Sequence, residues 1–128
     1  MSASVSSAPV SPHTAYRQAG IEMFESAKHR LADLAKLSPD ELAGRSGDAD
    51  YTRSLLNSAR VKFAAGTANL AIVRTVPEGF DLVPNALDAL SYSVGHSHKI
   101  DNVFDPMARG IVTNALERAT QAIRLLRR

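Results

Sequence analysis

The chain contains no cysteine and no tryptophan. Without thiols it can form neither a disulfide framework nor a thiolate metal site, and a cysteine nucleophile is excluded. Aromatic residues make up only 5% of it, which suits helix-on-helix packing better than a sheet core built on aromatic and β-branched side chains. No run approaches the roughly eighteen apolar residues of a membrane span. The opening MSASVSSAPVSPHT lacks the basic and apolar regions of a secretory signal. A Gly-rich phosphate loop, a nucleophile elbow and a zincin helix are also missing. The acids are scattered singly, so paired-carboxylate chemistry would have to be assembled by tertiary structure alone. These absences lead us to expect a soluble, non-catalytic protein without a cofactor. The cytoplasm is the default location, with export lacking a cleavable signal as the alternative.

What the chain does have is alanine and leucine, which carry most of its 45% hydrophobic content. At 128 residues and 13.7 kDa it fits one domain with a real core. We expect an all-α fold, a small bundle of three long and one or two short helices. Residues 1–11, rich in Ser, Ala and Pro, read as a flexible tail, and 12–128 as the single helical domain. The net charge of +2 is mild and lacks the clustered basicity of a dedicated nucleic-acid binder, so we expect no nucleic-acid partner.

The organising stretch is YTRSLLNSARVKFAAGTANLAIVRT, Tyr51 to Thr75. Leu56, Ala59, Phe63, Gly66, Leu70 and Val73 recur at three and four residues and therefore share one helical stripe. Large and small residues alternate along it, so another helix can come close at Ala59 and Gly66. Gly66 costs about 1 kcal/mol relative to alanine in mid-helix, which such an approach would explain. The seam predicts self-association or a helical protein partner.

Other helices announce themselves by their caps. Ser11-Pro12 and Ser38-Pro39 each place a capping serine before a first-turn proline. The first opens a helix whose apolar face is Gly20, Met23, Phe24, Ala27, Leu31 and Leu34, with Glu25 and Lys28 spaced for a weak surface pair. The second opens a short helix ending near Gly44. Asp48 or Asp50 caps the central helix, and Val76-Pro77-Glu78-Gly79 ends it in a reversal. Pro84 is expected to open a fourth helix in which Leu82, Leu87, Leu90 and Val94 supply apolar contacts and Gly95 the stop. Asp105-Pro106 opens the last, with Met107, Ile111, Ala115, Ala119, Ala122 and Leu126 on its apolar face.

His96-Ser97-His98-Lys99 sets two imidazoles close together. A metal site needs three or four donors in fixed geometry, and Asp101 and Asp105 complete no known ligand spacing, so we read a solvated loop and no metal. The arginines of the last helix cluster at its C-terminal end, where cations complement the helix dipole. Candidate partner-contact residues are therefore Phe63, Gly66 and Leu70 on the seam and Arg74, Arg124, Arg127 and Arg128 at the basic end. The arginines also support a second, weaker reading as a binder of nucleic acid or an acidic surface.

The run Phe63 to Thr75, FAAGTANLAIVRT, resembles the C-terminal helix of bacterial flagellar axial proteins of the rod and hook type. In that helix an aromatic residue precedes an Ala-Asn pair and an apolar stretch with threonine. Ala68-Asn69, Ile72-Val73 and Thr75 carry the likeness. The resemblance implies an exported structural subunit whose terminal helices pack together as a coiled coil, with residues 15–35 as the N-terminal partner.

Overall fold

The computed structural model describes residues 11–96 and 104–128. The tail expected at 1–11 therefore lies outside them except for Ser11, as do His98, Lys99 and Asp101 of the histidine segment. The described residues are 80% helical, and no strand occurs among them. Five helices follow in order: α1 (Pro12–Ala35), α2 (Pro39–Ala43), α3 (Ala49–Val73), α4 (Leu82–Ser93) and α5 (Phe104–Leu126). This is an all-α bundle.

The starts of the first three helices follow from local chemistry. The Ser11 hydroxyl accepts from the Thr14 amide at 3.2 Å, with Pro12 at the first helical position. At α2 the Ser38 side chain accepts from the Glu41 amide while Glu41 accepts from the Ser38 amide, a reciprocal box that satisfies two otherwise orphaned donors. Asp48 caps α3 by accepting from the amides of Asp50 and Tyr51. Gly44 ends α2 in the left-handed region at φ 78°, a conformation that glycine adopts without a Cβ penalty.

Two boundaries differ from expectation. α3 runs from Ala49 to Val73 instead of 51 to 75, because Asp48 caps it early and Arg74 is already extended at φ −152°. α4 starts at Leu82, not at Pro84, and Leu82 is 62% exposed instead of making an apolar contact, because Val83 takes the inward position of that first turn. Pro84 occupies its third position, where the absent amide would have had no intrahelical partner in any case.

Side-chain contacts fix the directions. Arg30 on α1 donates to Ser58 on α3 at 3.1 Å, and Gly20 near the start of α1 lies against Asn69 near the end of α3, so the two run antiparallel. Arg60 on α3 faces Asp88 on α4, and Arg53 lies against Gly95 just past the end of α4, so that pair is antiparallel too. Arg127 at the end of α5 reaches Glu25 on α1, while Arg109 near its start reaches the Ala35 and Leu37 carbonyls. The four main helices thus alternate up and down, with α2 in the first connection.

The core is alanine-lined and centred on three fully buried phenylalanines. Phe24 meets Phe63 edge-on with ring centroids 5.3 Å apart, and Phe63 meets Phe80 at 5.8 Å. Burying side chains of this size stabilises by about 1.5–3 kcal/mol each. On α1 the expected face is buried, except that Met23 is only partly covered. On α5 Ala115, Ala119, Ala122 and Leu126 are buried as expected, joined by Ile123, while in the first half Ala108 and Val112 take the inward positions in place of half-exposed Met107 and partly covered Ile111. Glu25 pairs with Arg127 at 3.0 Å rather than with Lys28.

Candidate protein-interaction face

α3 is the longest helix, and it presents two stripes. The inner one is the seam legible in the sequence: Leu56, Ala59, Phe63, Gly66 and Leu70 are buried, joined by Thr52 and Leu55. Its close neighbour is α1 of the same chain. The Phe24 ring lies so near Gly66 that a Cβ there would come within 2.9 Å of it. Phe63, Gly66 and Leu70 were expected to contact a partner, but they are enclosed in this chain's own core and present no surface. The physical reason is that α1 carries a matching face and lies only a short connection away.

Two of the arginines are held by partners within the chain. Arg74 donates to the Arg128 carbonyl at 3.0 Å, which ties the end of α3 to the end of the chain. Arg127 is held by Glu25. Arg124 is exposed on α5. The structure thus ties Arg74 to Arg128, which lies beside Arg127 and one turn past Arg124, so the four arginines share one end of the bundle.

The outer stripe of α3 is the feature the sequence reading passed over. Val61 and Ile72 are 51% and 57% exposed. Between them Ala64, Ala68 and Ala71 are exposed and Ala65 is half-buried. No ionisable residue falls on this face between Val61 and Ile72. The signal was available, since 61, 65, 68 and 72 have helical spacing, but alanine reads equally well as core or as filler, and the stronger seam with Phe63 and two leucines drew the assignment.

Beside this stripe, along the α3–α4 contact, runs an open groove of ≈ 400 Å³ lined by Arg53, Asn57, Arg60, Asp88, Ser91 and Tyr92 among others. Its guanidinium groups are largely neutralised: Arg53 pairs with Asp50, and Arg60 lies 3.6 Å from an Asp88 oxygen. The Arg60 Nε is shut off from solvent with no acceptor within hydrogen-bond distance among the described residues. Arg60 is consequently held against α4, and the groove forms a polar border to the apolar stripe.

Among the described residues no three His, Asp or Glu side chains gather as a metal would require, and no helix is long and apolar enough to cross a membrane. His96 is exposed. Comparison with family models, with curated proteins and with solved structures finds no match.

Proposed function

We propose that this protein is a non-catalytic assembly or adaptor subunit that works by helix-to-helix protein interaction through the outer face of α3. The observation that carries the reading is the charge-free stripe bounded by exposed Val61 and Ile72. A monomer gains nothing from leaving two β-branched residues and the alanines between them in water, whereas another amphipathic helix would cover them. The polar border of Arg53, Asn57 and Tyr92 along the groove supplies the rim such an apolar patch commonly has.

The test is a photo-reactive side chain placed at Ala68, with Gln121 on the exposed side of α5 as the control position. The reading expects a discrete protein adduct, identified by mass spectrometry in the source cells, from Ala68 and not from Gln121. Equal or absent adducts at the two positions would remove it.

The flagellar axial reading finds one supporting observation. The resemblance of residues 63–75 implies an N-terminal helical partner at 15–35, and α1 lies antiparallel along α3, with Phe24 against Phe63 and Gly66. On that reading the chain is a structural component of an exported assembly, and the adduct from Ala68 would be a neighbouring axial subunit.

A further inference from the structure

One end of the bundle gathers arginines from three helices. Gly20 of α1 faces Asn69 of α3 and Leu126 of α5, and Arg17 lies on the same side of α1 one turn nearer the end. Arg74 directly follows α3 and is tied to Arg128, with Arg124 and Arg127 in the turn before it. Of these five, Arg127 alone pairs with a carboxylate, that of Glu25. Among the described residues Arg17, Arg74, Arg124 and Arg128 pair with none. We propose that this end of the protein docks on the surface of an anionic phospholipid bilayer, its guanidinium groups hydrogen-bonded to lipid phosphates.

The positive charge here is uncompensated. Glu22 follows Gly20 by two residues and so points about 200° round the helix, toward the far side of α1. Glu78 is level with Arg118, which donates to its carbonyl at 2.9 Å, and Glu117 and Asp81 sit at the same level beside Arg118 and Phe80. Arg118 precedes Arg128 by ten residues, about 15 Å along the axis, which exceeds the Debye length of about 8 Å at physiological salt. Helix dipoles do not balance the charge either. α3 and α5 end here and α1 begins, and terminal charges of about half a unit each sum to about minus one half. Arginines held together without acids between them repel one another, and a phosphate that accepts from two forks relieves the repulsion.

Shape and an apolar rim favour a bilayer over a nucleic acid. Cations radiating from three helix ends cap the bundle and can meet a flat array of headgroups, whereas a base-reading helix carries its basic residues along one exposed face. Tyr16 in the second turn of α1 and Ile72 in the last turn of α3 are 43% and 57% exposed, and side chains of this kind enter the headgroup layer beside basic residues. No helix among the described residues is long and apolar enough to cross a membrane, so the docking is peripheral.

Flotation of the full chain with vesicles supplies the test. Pure phosphatidylcholine is compared with phosphatidylcholine containing about one third phosphatidylserine, at low and high salt. Binding is expected only to the anionic vesicles and should weaken as salt rises. Each basic residue close to such a surface strengthens partitioning about fivefold. Arg124→Gln with Arg128→Gln should therefore weaken it about 25-fold and Arg17→Gln, on a different helix, about fivefold. Lys28→Gln with Lys36→Gln makes the same change in net charge away from this end and should alter it less than about twofold. Helical circular dichroism is expected to be the same in all three variants. No vesicle binding, equal binding to both compositions, or equal losses in the two double variants would each overturn the proposal. Arginine-dependent binding to a DNA duplex with none to vesicles would overturn it too and make the partner a nucleic acid. The adduct at Ala68 is a separate readout, so this proposal and the interaction reading stand or fall independently.

Discussion

Gly66 on α3 leaves no room beside Phe24 on α1: a Cβ built on it would lie 2.9 Å from the Cδ2 and Cε2 atoms of the ring. Phe24 is fully buried and held edge-on against Phe63, so it has little freedom to withdraw. The glycine allows a close approach of two long helices, and its cost of about 1 kcal/mol in helix propensity is offset by the packing it permits. Gly66→Ala is therefore expected to destabilise, because overpacking a tight core costs about 1–3 kcal/mol and outweighs the propensity gained. The urea midpoint should fall with an unchanged slope. A rise would show that the ring relaxes at no cost.

Gly44 and Gly47 separate backbone strain from crowding. Both have positive φ, 78° and 70°, and alanine at either costs about 1–2 kcal/mol from the left-handed conformation alone. At Gly44 a Cβ would also stand 2.6 Å from the Gly95 backbone nitrogen, whose amide donates to the Ala43 carbonyl at 2.8 Å. At Gly47 the nearest atom is Glu41 Cγ at 3.6 Å. Gly44→Ala should accordingly lose about 1–3 kcal/mol more than Gly47→Ala, read from thermal unfolding of both variants. Equal losses would mean that the α4 end moves freely away from α2.

Helix starts were legible because short-range chemistry decides them: Ser11, Ser38 and Asp48 each sit next to the amides they accept from. The seam of α3 was legible because Leu56, Phe63 and Leu70 are large and regularly spaced. The face of α5 was less so. Alanine occupies several of its sides, and Met107 outweighed Ala108 in any reading by hydrophobicity, although only Ala108 fits against the core. Long-range pairs left no trace in the sequence. Glu25 finds Arg127 across 102 positions, and Arg74 finds the carbonyl of Arg128. The outer stripe of α3 was hidden for the opposite reason, since a helix with one strong face invites no search for a second.

Arg45 fastens the α2–α3 connection to the start of α5. Its Nη2 donates to both Asp105 oxygens at 2.9 and 2.8 Å, and its Nε donates to Asp40 at 2.8 Å. The Arg45 and Asp105 side chains are 8% and 15% exposed, whereas Asp40 is 54% exposed. The hydrogen bonds it donates to Asp105 and then to Asp40 raise the arginine's pKa above its ordinary value. A cation with a raised pKa contributes fully below the unfolded value and loses that contribution only as pH climbs through the folded one, far above neutrality. Asp105→Asn should therefore lower the denaturation midpoint more than Asp40→Asn, because it removes charge from the better-covered partner. The loss attributable to Arg45 should be constant between about pH 6 and pH 9, where carboxylates are ionised and arginine is charged. A loss that varied across that window would point to another titrating group.

Arg118 on α5 secures the α3–α4 reversal through two separable contacts. Its guanidinium carbon lies 5.5 Å from the Phe80 ring centroid, and its Nη1 donates to the Glu78 carbonyl at 2.9 Å. A partly exposed cation over an aromatic face stabilises by about 0.5–1 kcal/mol, and one hydrogen bond contributes about as much again. Arg118→Ala is expected to cost about 1–2 kcal/mol by that reckoning and to speed amide exchange in the Pro77–Leu82 turn. Arg118→Lys should recover only part of this, because an ammonium keeps the charge but loses the planar fork that reaches ring and carbonyl together. A double-mutant cycle with Phe80→Leu apportions the two contacts. In that background Arg118→Ala should cost only the share due to the carbonyl, and an undiminished loss there would assign the entire effect to Glu78 and none to the ring.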